Sequence, residues 1–269
     1  MMRKFFLASQ VIFLCSISFA QKSIDGLINA EKSFAAYSVA HGTKEAFLKF
    51  ADSAGIVFDQ GKAVNAIEVW TKREKRPGVL NWRPYLVEIS SSNDFGYTTG
   101  PWEFKLNDSI VARGQFVTVW HINSNGEWKF LADLGTGNLP IVSKIKLSKI
   151  TAKKIVGPSS PDSLLNVEQQ FINTYKENKS TAYFKYLSKH SVLKRNGQFD
   201  SGGKLKQSET IMQTPSAIEF TIIGSGIASS GDLAYVYGNT AINNKQENFL
   251  HIWRNEKNGW KIALEVLRY

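Results

Sequence analysis

Apolar residues recur along this chain with two different periods, and the same succession of periods occurs twice. Ile24, Leu27, Ile28, Phe34 and Ala35 follow the three-and-four spacing of one helix face, with Glu31 set among them. Leu164, Leu165, Phe171, Ile172 and Tyr175 do the same around Glu168. Asp162, just after Pro161, is the predicted N-cap of that second helix. A short helix follows in each case. One is capped by Thr43 and carries Ala46, Phe47 and Phe50; the other is capped by Thr181 and carries Phe184 and Leu187. Residues 63–73 and 205–213 predict a third. The period then drops to two, which predicts strands over 85–90, 95–104, 114–122 and 128–134, and again over 217–227, 233–241, 248–254 and 260–267. Asn125-Gly126 and Asn258-Gly259 are hairpin signals, since Asn-Gly takes positive φ readily. Helices followed by an antiparallel meander make an α+β class.

The succession is a true internal repeat. Leu27-Ile28-Asn29-Ala30-Glu31 returns as Leu164-Leu165-Asn166-Val167-Glu168, 137 residues later. Ser91-Ser92-Asn93-Asp94 returns as Ser229-Ser230-Gly231-Asp232, and Trp120 returns as Trp253 at an offset of 133. Offsets that drift this little over a hundred residues predict two copies of one domain rather than a solenoid. The predicted units are 21–138 and 162–269, joined by a basic linker over 139–161. Pro140, Gly157, Pro158, Ser159 and Ser160 mark the linker's ends. Residues 141–155 alternate apolar side chains with Lys and Ser, as a strand or docked arm would.

The first twenty residues change the picture of where the chain goes. Arg3 and Lys4 precede a mostly apolar run to Phe19, and Ser18-Phe19-Ala20 is a small-x-small site. This predicts a signal peptide cleaved after Ala20 and a periplasmic or secreted product, with no transmembrane segment. The single cysteine, Cys15, lies inside that peptide, so the mature chain would hold no disulfide and no thiolate site. Cleavage lowers the formal charge from +10 to +8. Lys144, Lys146, Lys149, Lys153 and Lys154 concentrate part of the excess in the linker, read as a solvated stripe and not as a nucleic-acid footprint.

Taken together, the Leu-Ile-x-Ala-Glu helix, the Glu45-Ala46-Phe47-Leu48 run, residues 94–100, Val117-Thr118-Val119-Trp120 and Asn125-Gly126-Glu127-Trp128-Lys129 resemble the nuclear transport factor 2-like superfamily. The nearest branch is that of SnoaL-like and ketosteroid-isomerase-like domains of unknown function. The resemblance covers residues 24–134 strongly and 162–269 more weakly. It implies two tandem cone-shaped domains, each with N-terminal helices packed on a curved antiparallel sheet and a pocket at the open end. It also implies pairing through the sheets, as a homodimer or as an intramolecular pseudo-dimer. Members include isomerases, dehydratases, cyclases, hydrolases and binding modules, so fold leaves function open.

Candidate chemistry is sparse. An Asp base with an oxyanion hole of Tyr and protonated Asp is the arrangement known for ketosteroid isomerase. Tyr97 is available for it, with Asp59, Asp94 and Asp133, but no motif says which share a pocket. Strand parity puts Trp128, Phe130, Ala132 and Leu134 on a helix-facing side, leaving Asp133 on the other; Glu265 is read the same way. His41, His121, His190 and His251 form no metal-binding cluster, and His251 alone shares a strand face with a Trp, as a candidate acid or base. No metal site and no cofactor motif is found: Gly135-Thr136-Gly137 reads as a loop. Trp70, Trp82 and Trp102 have no Trp counterpart in the second copy; Trp82 aligns with Phe220 and Trp102 with Thr240. With Tyr97 and Trp120 they are the predicted ligand-binding set, for a small apolar molecule held in the first unit. The alternatives are an isomerase, dehydratase or hydrolase using acid/base groups in that cavity, and a non-catalytic module pairing through its sheet faces.

Overall fold

The computed structural model of the protein describes residues 21–138, 146–153, 160–198 and 204–269. The predicted signal peptide, and Pro140, Lys144, Lys154, Gly157, Pro158 and Ser159 of the predicted linker, lie outside the described residues.

The first half runs α1 (Ile24–His41), α2 (Thr43–Phe50), β1 (Ala51–Asp59), β2 (Lys62–Asn65), α3 (Ala66–Lys72), β3 (Val79–Trp82), β4 (Leu86–Ile89), β5 (Phe95–Leu106), β6 (Ser109–Ile122), β7 (Trp128–Gly137) and β8 (Ser148–Thr151). The second runs α4 (Pro161–Glu177), α5 (Lys179–Tyr186), β9 (Leu187–Lys194), α6 (Lys204–Gln213), β10 (Glu219–Ile227), β11 (Leu233–Ile242), β12 (Lys245–Glu256) and β13 (Gly259–Leu267). The sheets are ordered β2-β1-β7-β6-β5-β4-β8, with β3 beside β5, and β10-β11-β12-β13-β9. Both halves are therefore α+β, with helices held against one face of a curved sheet.

Local chemistry sets the helix ends. Ser23 accepts the Gly26 N–H at the start of α1. At α4 the cap is Ser160, not Asp162: Ser160 and Ser163 satisfy each other's backbone N–H groups, and Pro161 opens the helix, where its missing N–H is harmless. Asn178, not Thr181, caps α5, and Gly42 at φ +94 turns the chain from α1 into α2 without a side-chain cap. Strands β1, β2, β3 and β9 fall outside the predicted segments. β1 and β9 pair in parallel with β7 and β13, so the sheets are not purely antiparallel. The predicted loop at residues 135–137 is the end of β7. Part of the predicted linker, β8, pairs in parallel with β4.

One irregularity decides which side chains face inward. Along β6 and β7, Val119 pairs with Ala132 but Trp120 pairs with Phe130, so Leu131 is the extra residue of a bulge. Side-chain parity flips there. Trp128 and Phe130 join the core beneath α1 and α2, whereas Ala132 and Leu134 face the opposite sheet. The second half repeats the slip at Ala263: Trp260 and Ile262 face the helices, Leu264 and Val266 the other sheet. This overturns the parity expectation. Asp133 and Glu265 lie on the helix side, inside their cones.

The two sheets pack on each other within one chain. Phe95, Tyr97, Val117, Val119 and Leu134 meet Leu233, Tyr235, Leu250, Ile252 and Val266 in one buried cluster. Each fully buried aliphatic side chain contributes about 1.5–3 kcal/mol. The repeated Ser-Ser-x-Asp turns clasp across this contact. Ser91 N donates to Asp232 Oδ2 at 2.9 Å, Ser229 Oγ to Asp94 Oδ2 at 2.6 Å, and the Ser92 and Ser230 hydroxyls meet at 2.9 Å. Nearby, Arg254 of the second half reaches the fully buried Glu88 of the first, Nη2 to Oε2 at 2.6 Å.

Candidate functional site

Helix α1 places Glu31 where an apolar residue would continue its stripe, and the sheet supplies polar partners beneath it. Thr98, Thr118 and Asp133 lie side by side on β5, β6 and β7. Glu31 accepts from Trp82 Nε1, from Thr98 Oγ1 and, at 3.0 Å, from Trp120 Nε1; Thr118 Oγ1 donates to Asp133 Oδ2 at 2.6 Å. Burial raises the Glu31 carboxyl to about 7, against the pull of these hydrogen bonds and with a further push from Asp133. Burial likewise raises Asp133 to about 6, opposed by Thr118. Two carboxyl groups thus titrate near neutrality inside the first cone.

Above them lies a cavity of about 540 Å³. Phe34 and Phe47 come from the helices, and Trp82, Trp102 and Phe116 come from the sheet, with Asp133 among them. Trp82 and Trp102 are cross-strand partners on β3 and β5. Trp102 lies across β6 because residue 114 is glycine: a Cβ there would come within 2.5 Å of the indole. Its Nε1 donates to Thr136 O at 3.2 Å. The second half closes the far end of the cavity with Asn196 and Arg268. Asn196 Oδ1 accepts the Gly137 N–H at 2.9 Å, and Gly197 N donates to Gly137 O at 2.8 Å, which docks that turn on the end of β7.

The five predicted ligand residues divide. Trp82 and Trp102 line this cavity together. Trp70 lines a neighbouring cavity of about 700 Å³, stacked on Phe47 at 4.5 Å with the Arg73 guanidinium 4.5 Å from its ring. Trp120 is fully buried beneath the cavity, spending its N–H on Glu31 and on Thr98. Tyr97 is on the opposite face of the sheet, in the cluster between the halves, where its hydroxyl donates to Glu88 at 2.9 Å. Of the aspartates, Asp59 pairs with Arg73 at 2.8 Å and Asp94 serves the clasp, so only Asp133 reaches the cavity.

The sequence pattern did not single out Glu31, and it offered Asp133 as a candidate acid but on the wrong face of its strand. The signal for Glu31 was present as a glutamate at an apolar position of the same helix stripe in both copies. For Asp133 the obstacle was the bulge.

The corresponding layer of the second half is filled. Glu168 accepts from Trp253 Nε1 at 2.6 Å and holds His251 Nδ1 at 2.9 Å; His251 Nε2 reaches Glu265 Oε2 at 3.0 Å. Arg195 pairs with Glu265 and bonds Tyr183 OH at 3.1 Å. All of these side chains are buried. Burial alone would raise Glu265, but the charge of Arg195 and the hydrogen bond from His251 hold it down to about 2. Burial would lower His251, but Glu168 and, to a lesser extent, Glu265 outweigh it and raise the imidazole to about 9. With both ring nitrogens engaged and the ring fully buried, His251 is a structural cation.

Among the described residues no group of three His, Cys, Asp or Glu side chains is placed to hold a metal ion, and no helix is long and apolar enough to cross a membrane.

An α+β cone present twice in one chain, with a part-polar cavity in its first copy, is the class this geometry defines. No family model and no curated protein matches the sequence. Among solved structures, many neighbours are nuclear transport factor 2-like or ketosteroid-isomerase-like proteins. A ketosteroid isomerase-like protein from Erwinia carotovora atroseptica is 15% identical, covers 40% of this chain and 93% of its own, and has a TM-score of 0.34. A nuclear transport factor 2-like protein of unknown function from Shewanella oneidensis is 17% identical, covering 41% and 96%, with a TM-score of 0.35. Another from Methylobacillus flagellatus is 13% identical, covering 44% and 97%, with a TM-score of 0.34.

Proposed function

We propose that the protein is exported by its N-terminal segment to the periplasm or beyond, forms two units over 21–138 and 162–269, and holds a small, largely apolar molecule in the first. The observation that carries this reading is the contrast between equivalent interiors. In the first half, aromatic walls and one carboxyl group enclose about 540 Å³. In the second, Arg195, His251 and Tyr183 occupy the layer. A concave, mostly apolar space with a few placed polar groups is the usual form of a small-molecule site. Native mass spectrometry of protein purified from its own compartment tests it, with a retained small molecule as the expected result. With that molecule in hand, Trp102→Ala weakens binding about tenfold, the loss of one stacked aromatic face, whereas Tyr97→Phe leaves it unchanged. Equal affinity for both variants would put the site elsewhere.

A second reading is supported by Glu31 and Asp133. Carboxyl groups raised to about 7 and about 6 suit general acid–base work, because each proton form is populated at neutral pH. Asp133 would be the group that meets a bound molecule, and its charge would raise the proton affinity of Glu31 behind it. No aromatic hydroxyl among the described residues lining this cavity joins them, so the chemistry would run on carboxyl groups alone. Proton exchange into the retained ligand in deuterated water, abolished by Asp133→Asn, is the signature that separates catalysis from holding.

A further inference from the structure

The charged side chains of the cavity are not scattered at random. Of the described lining residues only Arg73, Arg268 and Asp133 carry ionisable charge. The two guanidinium groups come from opposite halves of the chain, and each is held by a carboxylate outside this cavity's lining. Arg73 Nη2 lies 2.8 Å from Asp59 and also stacks on Trp70; Arg268 Nη2 lies 2.7 Å from Glu247. One carboxylate takes at most two of the five donors of a guanidinium, so each arginine is fixed in place with donors to spare.

On the reading that this cavity is a binding site, we propose that its ligand is an apolar acid, whose flat body lies between Trp82, Trp102 and Phe116 and whose carboxylate is held by Arg268 with Arg73 near it. An ammonium-bearing ligand would meet two guanidinium groups against one carboxyl group, Asp133, which is already bonded by Thr118. A wholly neutral one would forgo the charge-assisted bond that the spare donors of these part-exposed guanidinium groups can make. An acid satisfies both and gains charge-assisted, bidentate hydrogen bonds. Arg268 directly follows β13, so the second half supplies the group that selects the ligand's charge. The filled polar layer of the second half, with Arg195 and His251 paired inside it, is consistent with that supporting part.

The test compares two probes of one shape on the intact protein. 2-Naphthoate and its neutral isostere 2-naphthamide are titrated against tryptophan fluorescence, with the unaltered protein and with Arg268→Gln. The expected result is that the acid binds about tenfold more tightly than the amide, the worth of one charge-assisted hydrogen bond, and that Arg268→Gln removes the preference while keeping amide binding. Equal binding of acid and amide by the unaltered protein overturns the proposal but leaves the cavity as an apolar site. A preference that survives Arg268→Gln also overturns it, by assigning the charge recognition elsewhere. Binding of neither probe brings down the cavity reading itself, and this inference with it.

Discussion

The two halves of this chain build the same polar layer and complete it in opposite ways. In each, a glutamate from the first helix accepts from a buried tryptophan, Glu31 from Trp120 and Glu168 from Trp253. In each, a bulge turns an acidic residue of the last meander strand inward, Asp133 and Glu265. The second half places His251 where the first has Thr118 and adds Arg195, so its carboxylates meet buried cations. The first half supplies no such cation beneath its cavity, and its carboxyl groups tend to protonate. The difference shows that a layer conserved in position between the halves is not thereby conserved in charge state. The cavity with a carboxyl group in its wall lies in the half whose acids can be neutral.

Removing one partner of the filled layer breaks that comparison most severely. Glu265→Gln leaves Arg195 buried without its counter-charge and His251 with Glu168 alone, and we expect a loss of about 3–5 kcal/mol in urea unfolding. Asp133→Asn, the matching change in the first half, keeps the hydrogen bond to Thr118 and removes no ion pair, so it should alter stability by less than about 1 kcal/mol. Comparable losses at the two positions would mean that the layers are energetically alike after all.

The same contrast has a pH signature. Glu31 is raised from its ordinary value to about 7, so the folded state binds its proton more tightly than the unfolded chain does. The stability this confers is complete below about pH 4.5 and is lost as pH rises through 7, by roughly 3 kcal/mol. Glu265 is lowered to about 2, so its contribution is present above about pH 4.5 and disappears as pH falls toward 2. Denaturant midpoints of the unaltered protein and of Glu31→Gln, measured from pH 4.5 to 7.5, should converge at one end and separate at the other. The unaltered protein loses stability across that range relative to the variant. Parallel profiles would show that Glu31 is not the buried, proton-holding group described here.

Much of the fold was legible because the repeat samples one pattern twice. The helix stripe of Leu27, Ile28 and Phe34, the meander, and the Asn-Gly turn all follow from period and turn chemistry. Strand β1 was not, since Asp52, Ser53, Ala54 and Gly55 break the alternation where its pairing with β7 slips. The site was half legible. The unmatched Trp82 and Trp102 do sit together, because their counterparts Phe220 and Thr240 occupy the same paired positions in the second sheet. Asp133 was hidden by a one-residue bulge, to which a strict period of two is blind. Arg268 and Asn196 were hidden for another reason. They reach the first cavity only through packing of the two sheets, and no local period reports that.

The clasp between the halves offers the finest distinction. Asp232 is buried, taking the Ser91 N–H and the Ser230 hydroxyl, whereas Asp94 is partly exposed and takes the hydroxyls of Ser92 and Ser229. The turns are copies of one sequence, yet only Asp232 accepts a backbone N–H across the contact. Loss of that acceptor strands a donor that no side chain can replace, so Asp232→Ala should cost about 2 kcal/mol and Asp94→Ala about 1 kcal/mol. A double-mutant cycle of Asp94→Ala with Ser229→Ala isolates the cross-half bond, with an expected coupling of about 1 kcal/mol. Zero coupling would leave pairing to the apolar cluster around Val119 and Leu250, to Arg254 on Glu88 and to the Ser91–Asp232 bond. The Asp94 turn would then be an ordinary hairpin connection that happens to meet its copy, and the positions of Asn196 and Arg268 over the first cavity would be set by sheet packing and by the Asn196–Gly137 contact.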